Sequence, residues 1–580
     1  MPLYEKFTGR HRDSFASLED LQKNYRLTVP DDFNFAFDCL DVMAAETPDA
    51  LAMLWLSSAG EERRFTFEDI RSLSVKAANC FIAQGIGKGD LVMLTMARDW
   101  RYWPILMGLH RMGAVAVPAS YLLTKKDIEY RINAASIKML LTTPRFGVVQ
   151  AMEEALPKCP TIEKLAVFGG GAPNEKWLDF DAAWEAAPKT PVARNNSKTD
   201  MMLMSFSSGT TGYPKMVWHD YTYPLGHILT GCFWHRCEEG GLHFTISDTG
   251  WLKSLWGKMY SQWLAGSAVF TYDFESPETK FSAPDILEKI ARYKVTTFCA
   301  PPTMYRYLIK EDIAKYDLSS LKHCTTAGEA LNPKVYKAWL EKTGLKIYEG
   351  FGQTETTLCC WTGYPWMQPQ LGSMGLPAPG YRIIIADENG KEAAPGVTGE
   401  ICIRTDAAGG GKPCGLFLGY YRNEEMTKKA WHDNLYYTGD TAYRDAQGFL
   451  WYVGRSDDVI KSSGYRIGPF EVESVLLEHP AVAECAVTGT PDAERGFAVK
   501  ATIVLSHNYN GSGELTKELQ DYVKKITAPY KYPRIIEYVD ALPKTTTGKI
   551  RRVELREKDR REAMKSYRIR PVLNIAPAHI

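Results

Sequence analysis

Between about residue 65 and residue 330, short apolar runs alternate with helix-like stretches. Leu91-Val92-Met93-Leu94-Thr95 follows Gly87-Lys88-Gly89-Asp90, and Ala114-Val115-Ala116-Val117-Pro118 follows a helical segment ending near Gly113. Met139-Leu140-Leu141, Leu165-Ala166-Val167-Phe168 and Thr296-Thr297-Phe298-Cys299 continue the pattern. Alternation of this kind predicts parallel α/β sheets with ligands at the carboxyl ends of the strands.

A chain of 580 residues is too long for one core and should divide into at least two domains. From about residue 375 to 455 the texture changes to short strands and tight turns, at Asp387-Glu388-Asn389-Gly390 and Asp445-Ala446-Gln447-Gly448, which suggests a small β-rich subdomain. Beyond Gly454 a compact α+β unit is expected. Its first helix starts at Pro469 and runs to His479; the strands Glu484–Thr488 and Ala498–Leu505 follow, then a polar helix near Glu514–Ile526.

The apolar run Met201-Met202-Leu203-Met204 leads into Ser207-Ser208-Gly209-Thr210-Thr211-Gly212-Tyr213-Pro214-Lys215. Two glycines, four hydroxyls and one lysine make a loop with little bulk, able to aim N–H groups, hydroxyls and an ammonium at phosphate oxygens. Tyr213 and Pro214 separate Gly212 from Lys215, so the spacing is not that of a Walker A loop. Taken alone, the loop reads equally well as a surface turn.

Lys plus Arg equals Asp plus Glu at 69 each, so no basic excess points to nucleic acid. Twelve cysteines form no CxxC pair; Cys232, His235 and Cys237 are close in sequence but lack a second ligand pair at zinc spacing and read as packing residues. Unpatterned cysteines fit a reducing compartment. Glu5, Asp13, Glu19 and Asp20 near the start, with no apolar h-region, argue against a secretory or acid-poor transit peptide. No apolar run reaches the ~18 residues that span a bilayer. The expectation is a soluble, cytoplasmic protein.

Four further motifs follow the loop: Tyr348-Glu349-Gly350-Phe351-Gly352-Gln353-Thr354-Glu355-Thr356, Tyr437-Thr438-Gly439-Asp440, Gly454-Arg455-Ser456-Asp457 through Ser463-Gly464-Tyr465-Arg466-Ile467, and Pro543-Lys544-Thr545-Thr546-Thr547-Gly548-Lys549-Ile550. Each is weak by itself. In this order and at these separations they resemble the adenylate-forming (ANL) superfamily of acyl-CoA synthetases, peptide-synthetase adenylation domains and luciferases. Gly464–Pro469 and the Val29-Pro30…Phe33-Asn34-Phe35 start look most like medium-chain acyl-CoA synthetases. The resemblance covers roughly residues 30 to 560.

The resemblance implies an α/β fold: a large N-terminal domain of two α/β sheet subdomains plus a small β-rich subdomain, and a smaller, mobile α+β C-terminal domain. The expected boundaries are 1–456 and 457–580, with a hinge at Asp457. It also implies an AMP-forming acid:CoA ligase using ATP, Mg²⁺ and CoA. A free carboxylate is a poor acyl donor, because oxide or hydroxide would have to leave; joined to the α-phosphate of ATP it gains AMP as a leaving group, and a thiolate can attack. The site must hold a triphosphate with its metal, offset charge at phosphorus, and later admit a thiol.

Residue by residue, the resemblance places Ser207, Ser208, Gly209, Thr210, Thr211, Gly212 and Lys215 on the β/γ-phosphates, with Thr210 and Glu355 holding Mg²⁺ as hard oxygen donors. Gly328, Glu329 and Ala330 match the segment along adenine, followed by Phe351, Gly352, Gln353 and Thr354. Asp440 would accept both ribose hydroxyls, and Arg455 would contact ribose or phosphate. Lys549 would hold the α-phosphate and the attacking carboxylate together, and Arg466 would meet phosphate in the adenylating arrangement. Rotation about Asp457 would then withdraw Lys549 and bring in Ser463 and Gly464, a position where a pantetheine tunnel needs backbone without a Cβ. Arg495, Lys531 and Arg534 are alternatives for the CoA nucleotide.

Acetyl-specific relatives carry a Trp where this chain has Gly352, so the acyl pocket should take something longer than acetate. Trp251-Leu252-Lys253-Ser254-Leu255-Trp256-Gly257-Lys258-Met259-Tyr260-Ser261-Gln262-Trp263 falls where the family's acyl and pantetheine walls lie and reads as one amphipathic helix with Lys253 and Lys258 on its flanks. With Ala327, these residues predict a short, branched or medium acyl chain; the competing reading is a plain core stripe with both lysines in water. Transfer of the acyl group to a carrier protein is an alternative, although no carrier domain follows Lys549. A catalytically silent nucleotide-binding homologue is another, although Lys549, Glu355 and Asp440 are all present. Luciferase-like oxygenation is not separated by motif. The oligomeric state is open, a homodimer among the options.

Overall fold

The computed structural model describes residues 2–207, 213–274, 281–406, 411–463, 465–492, 495–544 and 550–568. The chain forms two compact units. One comprises Met1–Ile384, Cys402–Tyr436 and Gln447–Leu450; the other comprises Ile385–Ile401, Tyr437–Ala446 and Trp451–Ile580.

The first unit contains two open sheets of the kind expected from the alternating pattern. One has seven strands in the order Trp177–Asp179, Lys164–Val167, Met139–Thr142, Leu91–Thr95, Val115–Pro118, Met201–Ser207 and Lys215–Asp220. All neighbours are parallel except the last pair, which run antiparallel on either side of the phosphate-loop candidate, with Ser207 opposite Lys215. The middle strands are fully buried, as their unbroken apolar sequence requires when helices cover both faces. The helix Phe67–Ala83 starts with a capping box between Thr66 and Asp69. Tyr102–Met112, buried along its whole length, stops at Gly113 in the left-handed conformation.

The other sheet carries nine successive strands of this unit: Ser373–Pro377, Cys360–Trp361, Ile347–Phe351, His323–Ala327, Thr297–Cys299, Leu242–Thr245, Ala268–Asp273, Leu51–Ser57 and Glu62–Thr66. From Ile347–Phe351 to Leu51–Ser57 they are parallel. Its core joins Leu54, Phe244, Phe270 and Phe298 to Ile286, Leu287 and Ile290 of the helix Ala283–Arg292. His323–Ala327 and Ile347–Phe351 pair so that Ala327 lies opposite Gly350. That register brings the two candidate adenine segments out side by side at the carboxyl ends of their strands.

One expectation fails here. Residues 251–263 are not a single amphipathic helix but two short ones, Lys253–Trp256 and Tyr260–Leu264. A Cβ on Gly257 would come within 2.7 Å of the Lys253 carbonyl and 2.8 Å of Thr245, so the backbone turns there on glycine. Leu255, Met259, Tyr260, Trp263 and Leu264 are all fully buried, which removes the water-facing side that amphipathic periodicity assumes.

In the second unit, Tyr465–Ile467, Ile460–Ser462, Gly496–Leu505 and Val482–Asp492 form an antiparallel sheet, with Ile535–Tyr538 parallel to Gly496–Leu505. Helix Pro469–Leu476 begins with proline in its first turn, as predicted, and Gly513–Ile526 packs Leu515, Leu519 and Val523 onto the sheet. Among the described residues, no helix is long and apolar enough to cross a membrane.

Candidate active site

Lys215 opens the strand Lys215–Asp220, and Glu355 lies in the turn after Ile347–Phe351. Tyr420 joins them. Its hydroxyl donates to Oε1 of Glu355 at 3.0 Å, and its ring centroid lies 5.0 Å from the Lys215 ammonium. A backbone bridge between Val217 and Tyr420 fixes the ring against the strand. Glu355 is 8% exposed and its carbonyl takes the Phe417 N–H at 2.8 Å. A buried carboxylate held in place by a phenol is a hard oxygen donor of the kind Mg²⁺ takes, so the residues present fit that ion. Ser208, Gly209, Thr210, Thr211 and Gly212 lie outside the described residues.

The neighbouring motif residues are tied down as well. Gln353 accepts from Tyr436 at 2.9 Å, and the Thr354 carbonyl accepts from His219 Nε2 at 2.8 Å. Gly328 takes φ +108°, a conformation suited to glycine, and is exposed; Glu329 accepts from Thr303 at 3.1 Å, and Ala330 is half-buried. Behind them the buried Glu349 accepts the Leu331 N–H at 3.2 Å, and burial pushes its carboxyl up to about 8. Gly352 has a local reason to be glycine: a Cβ there would meet the Thr357 carbonyl at 2.4 Å. Phe351, at the strand end, is half-buried.

Of the acyl-pocket candidates, Lys253 is half-buried, with its ammonium 3.4 Å from the Ala327 carbonyl and 5.8 Å from the Trp256 ring. Trp251 is half-buried and Leu252 buried. Lys258 turns elsewhere: it is 1% exposed, bonded to the Ser247 carbonyl at 3.4 Å and 5.9 Å from the Trp103 ring. Burial, reinforced by Arg98, draws its ammonium down to about 7. Neither lysine faces open water as in the core-stripe reading.

Behind Trp256 lies a buried aromatic column that sequence reasoning missed. Trp256 runs parallel to His227 at 5.7 Å and near-parallel to His235 at 6.0 Å, and His235 stacks on His243 at 4.5 Å. His235, Cys237 and His243 bring one potential metal-ligand atom each within 4.8 Å of one another. Stacked rings, however, send their in-plane lone pairs along parallel lines, so they do not converge on one ion. Both nitrogens of His243 are also engaged by threonine hydroxyls, Thr297 and Thr245.

In the second unit, Asp440 is 5% exposed; it accepts from Tyr452 at 3.1 Å and pairs with Arg455 at 3.5 Å. Arg455 also reaches the exposed Asp457 at 3.8 Å. Ser463 takes φ +49° and is held by Arg495, whose carbonyl accepts the Ser463 N–H at 3.0 Å and whose guanidinium reaches Ser463 Oγ at 3.3 Å. Tyr465, half exposed, stacks on Tyr530 at 4.1 Å, beside Lys531. The Arg466 backbone pairs with Lys461, while Arg534 lies over Tyr532. Gly464 and Lys549 lie outside the described residues.

Two largely parallel α/β sheets in a large unit and a smaller second unit are the architecture of the adenylate-forming enzymes, and in it Lys215 and the buried Glu355 meet on Tyr420 while Asp440, Arg455 and Tyr452 form a separate cluster. The AMP-binding enzyme model matches residues 40–421 and the AMP-binding enzyme C-terminal domain model matches 471–549, and the chain belongs to this family. The chain is 40% identical to the mitochondrial acyl-coenzyme A synthetase ACSM3 of Homo sapiens over 94% of this chain and 93% of that protein. To the mitochondrial acyl-coenzyme A synthetase ACSM5 of Homo sapiens it is 40% identical, over 92% of each chain. The anthranilate CoA ligase AuaEII, solved with anthranoyl-AMP, superposes with a TM-score of 0.82 at 30% identity, over 92% of this chain and 99% of that one.

The mitochondrial names of these relatives overturn the cytoplasmic expectation. Acidic residues near the start of a sequence do not by themselves fix its compartment.

Proposed function

We propose that this chain is an ATP-dependent carboxylic acid:CoA ligase that works through an acyl adenylate. The acid's carboxylate oxygen attacks the α-phosphorus of ATP and pyrophosphate leaves; the CoA thiolate then attacks the acyl carbonyl and AMP leaves. The observation that carries the reading is the Lys215–Tyr420–Glu355 cluster, an ammonium and a buried carboxylate gathered around one phenol beside the 207–215 loop. Phosphoryl chemistry is mostly positioning and charge, and this cluster supplies both.

In this reading Ser207–Lys215 hold the β/γ-phosphates, and Glu355 with Thr210 would hold Mg²⁺, which when bound offsets phosphate charge. Gly328–Ala330 and Phe351–Thr354 flank adenine. Asp440 takes the ribose hydroxyls, with Tyr452 and Arg455 orienting its carboxylate. Lys549 and Arg466 serve adenylation. Residues 457–580 form a domain that turns about Asp457 between half-reactions. Ser463 and Gly464, with Trp251, line the thiol path, and the half-exposed Tyr465, stacked on Tyr530, with Arg495 and Lys531 offers CoA's adenine and phosphates a stacking face and cations. By analogy with the relatives, the enzyme works in mitochondria.

The acyl group is short, branched or medium-chain. Lys253, Trp256 and Ala327 crowd the candidate pocket, and an ammonium there disfavours a long hydrocarbon tail. CoA-dependent AMP release over straight, branched and aromatic acids tests both parts. Turnover peaking on long-chain fatty acids would contradict the acyl assignment. AMP release independent of CoA would contradict the ligase assignment.

A further inference from the structure

The strand Lys215–Asp220 carries a histidine that the reaction scheme leaves without a role. Residues four apart in a strand point to the same face, so Lys215 and His219 face the same way, their Cα atoms about 13 Å apart. His219 is 1% exposed, and its Nε2 lies 2.8 Å from the Thr354 carbonyl. A carbonyl only accepts, so Nε2 carries the proton and Nδ1 the lone pair. Thr354 lies in a turn rather than a strand, and its carbonyl has no other donor among the described residues. The Tyr223 ring packs against the imidazole at 4.2 Å and fixes its orientation.

We propose that His219 is a positioning residue of the nucleotide site, tying Thr354, and through it Glu355, to the strand that begins at Lys215. The Gln353–Glu355 turn is held from three further directions, by Tyr436 on Gln353, Tyr420 on the Glu355 carboxylate and Phe417 on the Glu355 carbonyl. Each of those donors comes from residues 417–436. His219 adds a direct tie from the phosphate-loop strand to the turn, beside the indirect one through Tyr420, which is bridged to Val217, and the two together set the spacing between Lys215 and Glu355. Burial keeps the ring neutral, so the bond persists across the physiological range.

This inference rests on the reading of Gln353–Glu355 as the nucleotide and metal segment, so the test separates the two. His219→Gln places an amide donor near the Nε2 position, whereas His219→Asn is equally polar but too short to reach Thr354. Full-length enzymes carrying each change are compared in acid-dependent ATP–pyrophosphate exchange, in conversion of supplied acyl-AMP to thioester, and in calorimetric MgATP binding. His219→Asn should raise the KM and Kd for MgATP about tenfold while thioester formation stays within about twofold; His219→Gln should stay within about threefold of wild type in all three. Equal losses in both half-reactions, unchanged MgATP binding in His219→Asn, or failure of Gln to rescue would overturn the proposal. Glu355→Gln serves as the control: wild-type adenylation in that variant would refute the underlying assignment of the segment instead.

Discussion

The Tyr420 hydroxyl donates to Oε1 of Glu355 at 3.0 Å, from a strand-anchored ring that also faces the Lys215 ammonium. A hydrogen bond to a buried carboxylate is worth about 1.5–3 kcal/mol. Tyr420→Phe keeps the ring and removes only the donor. It should slow ATP–pyrophosphate exchange about 10- to 100-fold and leave thioester formation from supplied acyl-AMP near wild type. Equal loss in both half-reactions would show that the hydroxyl serves folding rather than the carboxylate.

Glu349 gives a pH signature of opposite sign to an ordinary surface acid. Its carboxyl rises from an ordinary 4.5 to about 8 because it is buried with a single N–H donor from Leu331. Between those values the native state holds a proton that the unfolded chain has released, so this contribution is lost as pH rises and levels off above about 8. Glu349→Gln keeps an acceptor for Leu331 without an ionisable group. Urea unfolding should show the variant more stable by about 2–4 kcal/mol at pH 8.5, with the gap closing towards pH 5. A constant gap across that range would contradict the account.

Six buried imidazoles set the acid limit. Burial draws His110, His243 and His323 down to about 3 and His219 to about 4, and lowers His227 and His235 well below the ordinary 6.5. Below pH 6.5 the unfolded chain binds protons that these rings refuse, so stability is present above 6.5 and is lost as pH falls towards 4. Each ring contributes up to about 1.4 kcal/mol per pH unit, and Glu349 opposes with one proton against six. The urea midpoint should therefore fall steeply from pH 6.5 to pH 5. A flat midpoint over that interval would show that water reaches these rings in the native state.

The candidate site was only partly legible in the sequence. Met201–Ser207 is a strand because its apolar run is continuous, and Pro469 opens a helix because proline suits a first turn, so both emerge from local chemistry. The turn at Gly257 did not, because it depends on Thr245, which arrives from another strand. Glu349 reads as a polar residue in a mixed strand, and only Leu331 and the packed sheet reveal it as buried. His219 is one residue among a Trp-His-Asp run, and its partner Thr354 lies 135 positions away. Residues 385–401 and 437–446 join the second unit through contacts that no local pattern announces.

In the second unit, Arg552 binds both oxygens of Glu473, at 2.7 Å each, and Glu473 is 5% exposed. Arg552→Leu strands a buried carboxylate and should cost about 3–5 kcal/mol in thermal unfolding, whereas the double change Glu473→Leu with Arg552→Leu should recover much of that. Equal destabilisation by the single and double changes would mean that packing of the helix Arg552–Arg568, not the ion pair, carries the effect.

The central claim is that acid activation passes through an acyl adenylate made with Lys549. The direct measurement is a pair of half-reactions on Lys549→Ala: acid-dependent ATP–pyrophosphate exchange, and CoA-dependent AMP release from supplied acyl-AMP. Loss of exchange by about 100-fold or more, with thioester formation within a few-fold of wild type, is the predicted result. Full exchange activity in the variant would contradict the account.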